Sequence, residues 1–152
     1  MRLLLPLFAT ASLFAAGSPG FVVWTPADLK NYEKSLHAKL DQNHNANERL
    51  PDLEGHTVLV VHREGTGLAE THETAADFVY VISGEATVVV GGTMVDGKTT
   101  GPGEIRGASV TGGETKKTGA GDVLHIPPRV PHWFKVDPGK QITYLVVKLE
   151  SK

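Results

Sequence analysis

Apolar positions along this chain fall into three regimes. Leu3 to Ala16 is an almost unbroken apolar run behind Met1-Arg2. Further on, Leu29, Tyr32, Leu36 and Leu40 recur at helical spacing and share one stripe. They predict a helix from Pro26 to about Gln42. Thr25-Pro26-Ala27-Asp28 gives that helix its start, with a capping hydroxyl, a proline for the first turn and an acid three residues after the cap. From His56 onward the runs become short and rich in β-branched and aromatic residues. His56 to His62, Phe78 to Ile82, Ala86 to Val90, Val123 to Ile126, His132 to Val136 and Gln141 to Leu149 read as strands.

Turn residues separate these runs. Ser83-Gly84 ends one strand, and Gly91-Gly92 turns Ala86–Val90 back into Thr93-Met94-Val95 as a hairpin. Gly112-Gly113 joins two short strands, and Asp137-Pro138-Gly139-Lys140 is a further hairpin turn. Asn43-His44-Asn45-Ala46-Asn47 reads as a polar connector and Arg63 to Leu68 as a charged turn. Asp96 to Gly107 carries four glycines and a proline and reads as a long loop, from which Glu104 and Arg106 could serve a substrate. His56 and His62 share one strand face and are expected at the strand's rims. Many short strands with turns between them indicate an all-β barrel or sandwich.

The first regime changes the organisation. A basic start, an apolar run too short to span a bilayer, and the small residues Ala15-Ala16-Gly17 occur in signal-peptide order. Residues 1–17 are therefore expected to be a signal peptide. The mature chain would begin near Ser18, be periplasmic or secreted, and have no membrane segment. Residues 18–56 form an N-terminal extension carrying the helix, and residues 57–149 one β domain.

Composition narrows the function. The 152 residues suit one domain. Fifteen Lys and Arg against 17 Asp and Glu give a net charge of -2, with no electrostatic case for nucleic acid or an anionic membrane surface. The absence of cysteine excludes disulfides, thiolate metal ligands and a cysteine nucleophile. Neither glycine pair opens a helix after a strand, so no phosphate loop is present.

The chemistry gathers in Glu70 to Gly84. Glu70 and His72 are two apart, so on a strand they share a face. A tight bend after His72 would return Asp77 on a neighbouring strand. One imidazole and two carboxylates would then converge, and such donors suit Mn, Fe, Ni or Zn.

This stretch resembles the first motif of the cupin superfamily, G-x5-H-x-H-x3,4-E-x6-G. His72 falls on the second histidine, Asp77 on the glutamate and Gly84 on the closing glycine. Gly121 to His132 resembles the second motif, G-x5-P-x-G-x2-H-x3-N, through Gly121, Pro127 and His132. Glu64, Glu70, Asp77, Arg129 and Val136 depart from the pattern. The resemblance implies a small single-domain cupin jelly-roll β-barrel with an N-terminal α-helix. It also implies a homodimer and one divalent metal ion, Fe, Mn, Ni or Zn.

On that resemblance His72 and His132 are ligand candidates, against core histidines with satisfied hydrogen bonds. Asp77 is either the carboxylate ligand or a brace for the bend. Glu70 is a fourth ligand, a catalytic general base, or solvent-facing. His125 either lines the cavity as a catalytic proton shuttle or packs on the outer face. Two functions follow. The first is a metal-dependent enzyme acting on a small organic molecule by dioxygenase, isomerase or lyase chemistry. The second is a non-catalytic cupin binding a small ligand or a metal.

Overall fold

The computed structural model describes residues 20–51, 53 and 56–150. The expected signal peptide, residues 1–17, lies outside them. Helix α1 spans Pro26–His37 and opens on a reciprocal cap. Thr25 Oγ1 accepts the Asp28 N–H, and Asp28 Oδ2 accepts the Thr25 N–H. The helix stops five residues short of the expected Gln42. Asp41 draws the next segment out of helix, its Oδ1 accepting the N–H groups of Asn43 at 2.8 Å and Asn45 at 3.0 Å. Among the described residues no helix is long and apolar enough to cross a membrane.

Twelve strands follow in the described residues. They are β1 (Asn45–Arg49), β2 (Thr57–Arg63), β3 (Ala69–His72), β4 (Ala75–Val90), β5 (Thr93–Val95), β6 (Lys98–Gly101), β7 (Glu104–Gly107), β8 (Ser109–Thr111), β9 (Glu114–Gly119), β10 (Val123–Ile126), β11 (His132–Lys135) and β12 (Ile142–Glu150). All but β5 and β8 join one curled antiparallel sheet in the order β1-β2-β12-β4-β11-β3-β7-β6, with β9 and β10 also on β4. The sheet therefore begins at Asn45, upstream of the expected boundary at residue 57, and three of the five residues of the predicted polar connector lie in an edge strand.

Strand β4 is the spine. Its first half pairs with β12 and β10, and its second half with β11 and β9. Sequence reading expected a break at Ser83-Gly84, but the strand continues. Gly84 adopts φ 74, and a Cβ there would lie 2.0 Å from the Gln141 carbonyl oxygen. The glycine is a bend at which one strand passes between the two faces of the roll, not a turn that ends it.

Two further expectations change. Thr93–Val95 pairs with β8 instead of folding back on Ala86–Val90. The long loop at 96–107 is a hairpin of β6 and β7, and β7 runs along β3 with Glu70 opposite Arg106 and His72 opposite Glu104. The edge of β3 needed a partner for its backbone groups, and the glycine-rich segment supplies one.

The barrel interior is apolar below its polar site. Val61, Val79, Val81, Val88, Ile126, Phe134, Ile142, Tyr144 and Val146 form one buried cluster. On the other face of β2, Val58 and Val60 meet Leu36 of α1, Ala46 and Leu50. Tyr32 and Leu40 pack against that second cluster, so most of the predicted helix stripe does dock on the sheet.

Candidate functional site

Strand alternation delivers the site. Glu70 and His72 come from β3, Asp77 from β4 and His132 from β11. Asp77, Val79 and Val81 are the buried, inward positions of β4, while Phe78 and Tyr80 are exposed. His132 sits opposite Glu70 on one side and Val90 on the other.

Both imidazoles are oriented from behind. His72 Nδ1 donates to Glu104 Oε1 at 2.9 Å, because a carboxylate can only accept. His132 Nδ1 donates to the Val130 carbonyl at 3.2 Å. Each neutral ring therefore turns its Nε2 lone pair into the barrel, the tautomer a metal ligand needs. Asp77 Oδ2 lies 3.2 Å from His72 Nε2 and 3.6 Å from His132 Nε2. Glu70 Oε2 lies 3.9 and 4.0 Å from the same two atoms. Donors bound to one ion at about 2.0–2.2 Å sit about 3.0–3.6 Å apart, so Asp77 stands at ligand spacing from both imidazoles, while Glu70 lies farther out in a set with His72 and His132 whose ligand atoms are within 4.8 Å of one another. Asp77 is one methylene shorter than the motif glutamate, yet the backbone of β4 brings its carboxylate nearer the histidines than Glu70 comes.

Three cations surround this set, and two of them escaped the sequence reading. Arg63, expected to open a charged turn, is buried at the end of β2. Its Nη2 donates to Glu70 Oε1 at 2.7 Å and its Nε to Tyr144 Oη at 3.0 Å. Arg106 Nη1 lies 2.5 Å from Glu70 Oε2, and its Nη2 donates to Glu104 Oε2 at 3.0 Å. Lys148 is the second surprise. Its Nζ donates to His72 Nε2 at 2.8 Å and to Asp77 Oδ1 at 3.0 Å. The ammonium thus sits within the proposed ligand set. A signal for it existed, since Tyr144, Val146 and Lys148 alternate on one face of an otherwise apolar strand.

These contacts set the ionisation. Burial would raise the Glu70 carboxyl, but Arg63 and Arg106 beside it hold it far below the usual carboxylate range. Burial likewise opposes the Asp77 carboxylate, and its contact with His72 and the Lys148 charge bring it down. His132 is pushed below an ordinary imidazole by burial, against the pull of Glu70 and Asp77, and is neutral at pH 7.

A cavity of about 190 Å³ opens onto the site. Leu59, Phe134 and Val146 give it an apolar wall, and Asn45 and Asn47 of β1 flank it. Asn45 Oδ1 is buried without a hydrogen-bond partner among the described residues. An acceptor left in that state suits a donor supplied by a bound molecule or water.

His125 does not join the site. It pairs with Phe78 across β10 and β4, and both are exposed on the outer face. Of the two readings open from sequence, the structure takes the outer one, so the proton-shuttle role lapses. His62, expected at a rim, is buried against Thr143 on the helix side of β2.

Arg129 explains one motif departure. It occupies the second-motif glycine position and adopts φ 64, the left-handed region that favours glycine. Its N–H donates to the His72 carbonyl at 2.7 Å, so the bend holds β3 in place. Arg129→Gly should therefore raise stability by about 0.5–1 kcal/mol, relief of left-handed backbone outweighing the added chain entropy. Urea unfolding midpoints measure this. A lower midpoint would show that the arginine side chain contributes more than its backbone costs.

No family model matches the sequence, and no curated protein matches it. Solved structures do resemble the fold. The polyketide cyclase RemF from Streptomyces resistomycificus is 20% identical with a TM-score of 0.50, covering 69% of this chain and 64% of its own. A Streptomyces protein solved with uridine is 14% identical with a TM-score of 0.51 over 74% of each chain. Oxalate decarboxylase from Lactobacillus farciminis, in a formate complex, is 15% identical with a TM-score of 0.53, over 74% of this chain and 30% of its own. The chain thus spans less than two thirds of the cyclase and under a third of the decarboxylase. At these identities the likeness establishes architecture alone, and with the curled sheet and the helix near the N-terminus it shows that this chain has the cupin fold.

Proposed function

We propose that the barrel holds one divalent cation on His72, His132, Asp77 and Glu70 and acts there on a small organic molecule. The observation that carries this is the double tautomer lock, Glu104 behind His72 and the Val130 carbonyl behind His132, which aims two lone pairs at two ionised carboxylates. Such an ion supplies Lewis acidity and open coordination positions to a bound ligand. The chain's own residues do the rest. Leu59, Phe134 and Val146 exclude water from one side, and Asn45 Oδ1 accepts a hydrogen bond from the ligand. A cavity of about 190 Å³ admits a molecule of only a few heavy atoms. Similar structures support this scale, since they include an oxalate oxidase with glycolate and the decarboxylase with formate.

One observation favours a second reading. Lys148 already places a cation against His72 and Asp77, as a metal-free, non-catalytic ligand-binding barrel would require. Metal content per chain of tag-free protein separates the two. After supplementation with Mn, Fe, Ni and Zn, the wild type should retain one ion in the barrel that both His72→Ala and His132→Ala lose. Equal content in all three, or none in any, sinks the metal reading and leaves the ligand-binding barrel.

Export and dimerisation belong to the same proposal. Export predicts a mature N-terminus near Ser18, read by N-terminal sequencing of extracytoplasmic protein; an intact Met1 there would sink it. A homodimer is supported by exposed Phe78, Tyr80 and Val123 on the outer face of β4 and β10. Light scattering at the mass of one chain would exclude it.

A further inference from the structure

A second convergence of donors lies outside the barrel, where α1 meets β2. His37 closes the helix, His62 is near the end of β2, and Glu64 follows that strand directly. Their ligand atoms lie within 4.8 Å of one another. One oxygen, Glu64 Oε1, is shared, with His62 Nε2 at 3.0 Å and His37 Nδ1 also in contact. His62 is buried, Glu64 is half-buried and His37 is exposed, so the cluster opens to solvent on one side.

Without an ion the cluster is held by hydrogen bonds. A carboxylate can only accept, so His62 Nε2 donates to Glu64 Oε1 at 3.0 Å, and its Nδ1 meets the Thr143 hydroxyl at 2.8 Å. His37 Nδ1 contacts the same carboxylate oxygen. One oxygen thus gathers two imidazole nitrogens from different elements, and a divalent ion replacing those hydrogens would join all three donors at once.

We propose that His37, His62 and Glu64 form a second metal site, taking Zn²⁺ on two imidazoles and one carboxylate with the fourth position open to water beside His37. Two nitrogens and one oxygen are a donor set for zinc, whereas magnesium and calcium prefer all-oxygen sets. The ligands span 27 residues of sequence and two elements, so the ion fastens α1 to the sheet. His62 lies on the helix face of β2, while the next residue, Arg63, faces the barrel. The strand thus separates the two sites, and each should fill independently.

Equilibrium dialysis of the tag-free protein against Zn²⁺, followed by metal analysis, counts ions per chain. Co²⁺ substitution reports the geometry. The wild type should hold two ions, His37→Ala, Glu64→Gln and His132→Ala one each, and the His37→Ala/His132→Ala double variant none. In His132→Ala the remaining Co²⁺ should show the intense visible bands of a four-coordinate site, and adding His37→Ala should abolish them. His37 is exposed, so its removal leaves the core intact. Equal zinc in wild type and His37→Ala overturns the proposal, as does a wild type with no zinc. A wild type with one ion that His37→Ala removes supports this site and counts against zinc in the barrel. One ion that only His132→Ala removes does the reverse.

Discussion

Replacing Glu70 by alanine should cost about 3–5 kcal/mol of folding stability at neutral pH, the range seen when one partner of a buried ion pair is removed. Arg63 is only 4% exposed, and Glu70 is the carboxylate that compensates its Nη2. The Nε contact to Tyr144 survives the substitution, but a phenol oxygen is neutral and cannot balance a guanidinium. Arg106 loses the same partner and keeps Glu104. The pH dependence has a definite sign. Glu70 is depressed in the folded state, so its contribution is complete above the unfolded carboxylate value of about 4.3 and is lost as pH falls toward the folded value. His132 is also depressed, so the unfolded chain takes up a proton below about pH 6.5 that the folded chain refuses, and stability falls with pH there too. Wild-type stability should thus decline on acidification through both windows, and the gap to Glu70→Ala should narrow below about pH 4. Urea unfolding between pH 3 and 8 measures both effects. A loss near 1 kcal/mol at pH 7 would mean that the cavity rehydrates Arg63 and that the pair is not structural.

The parts of the site that sequence revealed are those fixed by local geometry. Period two placed Glu70 beside His72, and motif spacing located Asp77 and His132. Arg63 and Lys148 were missed because cross-strand register joins them to the site. Lys148 lies opposite Asp77 across β12 and β4, 71 residues away in sequence, and no local pattern encodes that pairing. Glu104 and Arg106 were suspected of serving a substrate. In the structure Glu104 meets His72 and Arg106 meets Glu70, because β7 pairs with β3. The helix end was misjudged for a related reason. Leu40 does fit the stripe, yet the Asp41 carboxylate captures the backbone N–H groups that would have extended the helix. Arg129 runs the other way. Sequence showed a departure from the motif, while the backbone shows that the left-handed bend persists without the glycine.

Replacing Lys148 by methionine should tighten divalent metal binding in the barrel at least tenfold, about 1.4 kcal/mol. The ammonium donates to His72 Nε2 and to Asp77 Oδ1, so it competes with a metal for the lone pair of one ligand and the charge of another. An entering ion must displace it, and the displaced charge stays within reach of the same centre, since the lysine stem is anchored on β12 opposite Asp77. Methionine has similar length and no charge, so it removes the competitor while keeping the apolar packing of the stem. The substitution also leaves Asp77 without its cation, which should make the metal-free variant less stable than metal-free wild type, with a larger gain in stability when the ion is added. Competition against a chromophoric chelator gives the affinity, and unfolding with and without the ion gives the linked stabilities. Protons compete for the same lone pairs, so acidification through the imidazole range should release the ion from either protein, with the wild type losing it at higher pH. An unchanged affinity would show that Lys148 vacates the site freely. A weaker one would show that the lysine supports the ligand set instead of opposing the metal, and would leave the cation-filled, ligand-binding barrel as the better account of this centre.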